Sequence, residues 1–172
     1  MTRPIPIAPM MANMVRSGIA AVDGKVFDRL DSCPYCGGQV RPHDYRAKRF
    51  ALLTDGSEST DVRVRVKRFR CNRCGRLCYA DSPFYPRTRH GSPIVELAAV
   101  LAERMPPGQV VRTLDRLGIV LDRATVRAYA RLPLPPITTT QLFGMQIPVS
   151  ILRLSSSVVL RSGHPLTPDG RY

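Results

Sequence analysis

The stretch Asp31-Ser32-Cys33-Pro34-Tyr35-Cys36-Gly37-Gly38-Gln39-Val40 (DSCPYCGGQV) admits two readings. Cys-Pro-Tyr-Cys alone is the dithiol signature of glutaredoxin-like enzymes. Followed by Gly-Gly, it is also what a zinc knuckle looks like. A second stretch, Arg68 to Cys78 (RFRCNRCGRLC), decides between them, because Cys71 and Cys74 repeat the spacing and Gly75 follows as Gly37 follows Cys36. Two such tight turns each present two thiolates, which is how a four-cysteine zinc site is built. A redox site would need its first cysteine at the start of a helix after a strand, where the thiol pKa falls. Gly37, Gly38 and Pro42 leave no room for that helix. Cys33, Cys36, Cys71 and Cys74 are therefore the expected ligands of one structural Zn²⁺. Cys78 reads as a small apolar residue beside the site, with a ligand role in a shifted register as the alternative. His43 is an available substitute ligand that four thiolates make unnecessary.

The 34 residues from Gly37 to Arg70 are long enough for a β-hairpin between the knuckles, the plan of a zinc ribbon. Val62, Val64 and Val66 alternate with Arg63, Arg65 and Lys67, so one strand runs into Cys71 with a basic face opposite an apolar one. The alternation slips at Lys67-Arg68, which predicts a bulge before Phe69. Residues 44–53 are the expected partner strand and residues 54–61 the turn.

After Ser92 the apolar period changes from two to about 3.6. Ser92 is a plausible N-cap with Pro93 in the first turn, and Ile94, Leu97, Ala98 and Leu101 form one stripe. Val110, Val111, Leu114 and Leu117 form the next, which stops at Gly118. Asp122 can cap a third helix that ends before Pro133. Three short helices with a glycine turn before the third outline a helix-turn-helix. Arg123, Thr125, Arg127 and Arg131 would lie on its DNA-facing side. The bland alternative is a structural three-helix bundle whose arginines are a solvated face.

Charge favours the first view. The 172 residues carry 26 Lys and Arg against 13 Asp and Glu, a net +13. Residues 41–90 alone hold thirteen basic and five acidic side chains. Such an excess attracts polyanions, nucleic acid first and an anionic membrane surface second, and it is unusual for a metabolic enzyme. Arg63, Arg65, Lys67 and Arg68 on the ribbon are the expected backbone contacts. An inert basic surface is the competing view. The longest apolar run, residues 147–160, is too short and too interrupted to span a membrane. Pro4, Pro6, Pro9 and Arg16 spoil a signal peptide, so a cytoplasmic location is expected. His90 and His164 carry no catalytic signal.

The order of these motifs, CPYCGG, then VRVRVKRFRCNRCGR, then the three helical stretches, resembles the N-terminal portion of prokaryotic insertion-sequence transposases and related uncharacterised proteins. The resemblance covers roughly residues 32–132. It implies a zinc ribbon and a helix-turn-helix that together bind DNA, with the four cysteines as ligands and residues 123–131 as the recognition helix. Such transposases cut DNA with three carboxylates holding Mg²⁺ in a downstream domain. Beyond Leu132 only 40 residues follow, and Asp169 is their sole acid. The expected protein is thus not an enzyme in itself. A separate catalytic subunit would have to supply cutting, and palindromic half-sites would require a homodimer. A transcription-associated ribbon acting through protein contacts is the alternative function.

The expected fold is α+β. Residues 1–30 are read as a leader, 31–80 as the ribbon, 81–92 as a linker and 93–132 as the helix-turn-helix. Residues 133–172 are read as an irregular tail, the start of a further domain or a docking segment.

Overall fold

The alternating stretch ending at Cys71 builds the central strand of the molecule. The computed structural model describes residues 6–161, as backbone alone at 157–161. Strand β3 (Ser59–Cys71) pairs antiparallel with β2 (Val40–Thr54), from Thr54↔Ser59 at the turn to Val40↔Cys71 at the cysteines. The Asp55 carboxylate closes the turn by accepting from the amides of Ser57 and Glu58. The opposite edge of β3 is shared by two short strands. Strand β1 (Val26–Phe27) runs parallel beside Arg65 and Val66, and β4 (Leu77–Tyr79) antiparallel beside residues 68–70.

The hairpin exceeds its expected length because β2 begins four residues early, at Val40, and the turn shrinks to residues 55–58. The expected bulge lies at the level foreseen but on the other strand. Pairing jumps from Pro42↔Phe69 to Asp44↔Arg68, so His43 is the extra residue. Pro42 has no N–H to give the ladder, and the irregularity falls beside it. A second shift, between Arg49 and Ala51, sets Phe50 out of register.

Val62, Val64 and Val66 are fully buried, and their face of the sheet meets the helices. Helix α1 (Pro9–Ala20) precedes the sheet, while α2 (Ser92–Ala102), α3 (Pro107–Arg116) and α4 (Arg123–Ala130) follow it. The three later helices pack on one another. Helix α2 is the central one, with Ile94, Val95, Leu97 and Ala98 inaccessible to solvent. It starts at its expected cap, one residue early, since Ser92 is already helical and Gly91 holds the cap position. Asp122 caps α4 as its sequence implies, its carboxylate accepting from the Thr125 amide at 2.8 Å.

Three expectations need correction. The supposed leader contains α1, whose Met11, Val15 and Ile19 are buried to within 1%. Pro9 begins that helix, in the turn where a missing N–H costs nothing. The supposed linker is docked: Thr88, His90 and Gly91 are all buried. The supposed irregular tail forms a hairpin, β5 (Thr139–Leu142) and β6 (Met145–Pro148), followed by α5 (Val149–Arg161). Its turn residues Phe143 and Gly144 both take positive φ, as a two-residue hairpin turn requires. Met145, Ile147 and Ile151 then find their partners on α2, while α5 lies along α1. One apolar core runs from α1 through the sheet to α5. His164 and Asp169 lie outside the described residues.

Phe50 joins sheet to helices. Its carbonyl accepts from the Gly91 amide at 2.8 Å, and its fully buried ring meets Phe84 edge-on. A β-carbon on Gly91 would lie 2.2 Å from that ring, so only glycine fits. The turn between α3 and α4 is laid along the outer edge of β2. Thr54 donates to Gly118, and Val120 to Leu52. We expect Gly91→Ala to overpack this joint and lower stability by about 1–3 kcal/mol. Urea denaturation checks it, and an unchanged midpoint would refute the packing account.

Candidate metal centre and basic surface

The two knuckles are built alike. In the first, the Cys33 amide donates to Gly38 O and the Gly37 amide to Cys33 O. In the second, Cys71 donates to Arg76 O and Gly75 to Cys71 O. Gly37 and Gly75 take φ values of 69° and 71°, the left-handed conformation each turn needs. The Asn72 amide donates to Gln39 O and ties one knuckle to the other.

The Sγ atoms of Cys33, Cys36, Cys71 and Cys74 all lie within 4.8 Å of one another. Cys36 and Cys71 are 3.5 Å apart, and Cys33 and Cys74 3.7 Å. A sulfur tetrahedron with metal–sulfur bonds near 2.3 Å has edges of about 3.8 Å, so the set could hold one metal ion. Amides of Arg73 and Cys74 point at Cys71 Sγ from 3.3 and 3.4 Å.

Electrostatics favour a cation at this spot. Burial works against ionising Cys33, but the amides of Tyr35 and Cys36 and the thiols of Cys78 and Cys74 outweigh it and bring its pKa to about 6. The Cys74 amide, opposed by burial and helped by the Arg73 amide, lowers that of Cys71. The Gly38 amide favours ionised Cys36, yet the adjoining Cys71 and burial push it to about 11. Neighbouring thiolates thus obstruct one another until a cation neutralises them.

Cys78 sits beside the cluster, fully buried, with its Sγ 3.6 Å from Cys33. Burial and the Cys33 charge raise it to about 11, which keeps it a thiol. It is buried in one small cluster with Cys33 and Cys71. The substitute ligand His43 is exposed in the β2 bulge and outside the cluster.

The predicted contact residues are distributed unevenly. Arg63, Arg65 and Lys67 share the sheet face turned to solvent, where they oppose Arg49, Ala47 and Tyr45 of β2. The Tyr45 ring, 40% exposed, carries Arg65 over it at 4.8 Å and Lys67 at 5.5 Å. Asp61 binds both Arg49 and Arg63 at 2.8 Å. Arg68 stands apart: it belongs to the other face, is ion-paired to Asp44, and its side chain is only 14% exposed. On α4, Thr125 is engaged by the cap through its amide and hydroxyl. Arg123, Arg127 and Arg131 are exposed, and Arg123 lies against Gly108 at the start of α3.

Tyr45 and Arg49 belong to this surface and were missed, as were Lys48, which pairs with Val64 of the other face, and Arg89, which shares a cleft with Arg49. Counting the register back from the hairpin turn places Arg49 opposite Val64, and the irregularity at Phe50 sets it opposite Arg63 instead. Nothing in the sequence signals Arg89. No helix among the described residues is long and apolar enough to cross a membrane. Family models, curated proteins and solved structures give no match to this chain.

Two outcomes follow. Cys71→Ser should lose the bound metal while Cys78→Ser retains it, as read by metal analysis of the purified proteins; equal loss would make Cys78 a ligand. Asp61 is held at about 2 against its ordinary 3.8, first by the Arg49 hydrogen bond against burial, and then by Arg63. A depressed carboxyl stabilises the fold above its unfolded pKa and ceases to do so as pH falls through the folded value. The stability gap between wild type and Asp61→Asn should therefore shrink from about pH 4 to about pH 2 in denaturant titrations.

Proposed function

We propose that this chain is a zinc-dependent DNA-binding protein, related in plan to the DNA-recognition portion of a transposase. The observation that carries the reading is the solvent face of the sheet. Arg49, Arg63, Arg65 and Lys67 stand there around an exposed Tyr45, on a hairpin whose open end meets the four-thiol cluster. Four soft thiolates at tetrahedral spacing suit Zn²⁺. In this reading the metal secures the knuckle end of the hairpin, and the module is a zinc ribbon.

The basic face captures the DNA backbone, while α2, α3 and α4 act as a helix-turn-helix. Helix α4 then reads bases with Arg123, Arg127 and Arg131, which project away from its buried Val126 and Tyr129. Thr125 and Arg68 serve the fold instead, one as part of a cap and the other as an ion pair.

The zinc-loaded protein should bind duplex DNA with an affinity that falls steeply as salt rises. Arg65→Gln should weaken all duplexes alike, whereas Arg127→Gln should relax preference at one position, by about 1–3 kcal/mol per lost base contact. Binding-site selection followed by titration at several salt concentrations measures both. Affinity indifferent to salt would overturn the reading. Capture of a protein partner with no DNA binding would point to the transcription-associated alternative.

A further inference from the structure

We propose that the cleft between β2 and the start of α4 seats a phosphate group, held by Lys48, Arg49 and Arg89. The cleft measures about 550 Å³. Lys48 and Arg49 enter it from β2, Arg89 and His90 from the segment before α2, and Asp122 and Thr125 from α4. Three cations therefore meet from two separate parts of the chain.

Each is held in place. The segment carrying Arg89 is docked on both sides of it. Thr88 Oγ1 donates to Tyr85 O at 2.8 Å, and His90 Nδ1 lies 2.7 Å from Tyr129 Oη on α4. The Arg89 amide donates to the same Tyr129 oxygen at 3.4 Å. Thr88 and His90 are buried, and Arg89 between them is exposed at the cleft. The Lys48 ammonium stands 4.0 Å from the centre of the Phe84 ring. Arg49 is braced by Asp61 on the exposed sheet face, so one guanidinium borders both that face and the cleft.

Cations outnumber acids among the lining residues. Burial first, then Arg49 and Arg89, with Asp122 and Asp61 opposing, hold His90 below its ordinary pKa. Burial also lowers the pKa of Lys48, a cation with part of its water stripped away. Asp122 is the sole acid among the lining residues, and both its oxygens are taken by Thr125. An anion thus belongs on the Lys48–Arg89 side. The space exceeds what a bare ion needs, and it suits a phosphate carried on a sugar chain.

Rested on the DNA-binding reading, this makes the cleft the point where one backbone passes from the sheet to α4. The phosphate chemistry does not depend on that reading, and the test separates the two. Duplex affinity of the full zinc-loaded chain is measured against salt for wild type and Arg89→Gln, with metal content and thermal midpoint as controls. The variant should bind unrelated duplexes roughly tenfold more weakly, with the slope of log affinity on log salt reduced by about 0.9. Unchanged affinity and slope would overturn the cleft assignment and leave the DNA reading standing. Should wild type bind no duplex, inorganic phosphate is titrated against the Arg89 and His90 amide resonances. Shifts lost in Arg89→Gln would keep the phosphate seat and discard the DNA reading, and no shifts would discard both.

Discussion

Phe50 is the residue on which the arrangement turns. It falls out of register in β2, and that single irregularity sends its ring into the core and its carbonyl toward Gly91. Gly91 in turn starts α2, the helix with the most buried face, on which α3, α4, β6 and α5 all pack. A strand in strict alternation would have placed an aromatic ring at this point among the arginines. The bulge converts a local error of period into the joint between sheet and helices.

The two ends of the hairpin are secured by different physics. Toward the turn, Val62, Val64 and Ala51 are buried in the common core, where close packing holds them. At the far end the core gives out. Cys33, Cys71 and Cys78 form a small cluster of their own, with Leu30, Cys36 and Val40 at its margin. So small a cluster buries little apolar surface, and a cation held by the thiolates would supply what packing cannot. The amides of Arg73 and Cys74 already point at Cys71 Sγ.

The same hairpin keeps its charges usable by division of labour. On the exposed face the cations are repelled by one another, and Asp61 and the Tyr45 ring moderate this without removing the excess. Arg68, turned to the other side, is neutralised by Asp44. Basic residues adjacent in sequence thus play opposite parts, and the pleat decides which. The attachment of the α3–α4 turn to the edge of β2 fixes α4 relative to that face.

Much of this could be read in advance from short-range regularities. Paired C-x2-C-G turns, the valine–arginine alternation, the period of α2 to α4 and the Asp122 cap are local patterns, and local chemistry produces them. Their outcome needed no knowledge of distant residues. The role of α1, the hairpin after residue 138, the docked segment around His90 and the basic cleft were not legible. Each depends on residues far along the chain: Ile19 and Met11 on a core closed by α5, Ile147 on α2, His90 on Tyr129, and the cleft on lining shared by Lys48 and Arg89. Prolines misled where they stood at a helix start, since a helix breaker and a helix beginning share that residue. What the sequence determined by itself was the two long strands, α2 to α4 and the four thiols; tertiary structure alone decided which charges face one another, because burial and convergence are properties of packed surfaces and not of neighbours in the chain.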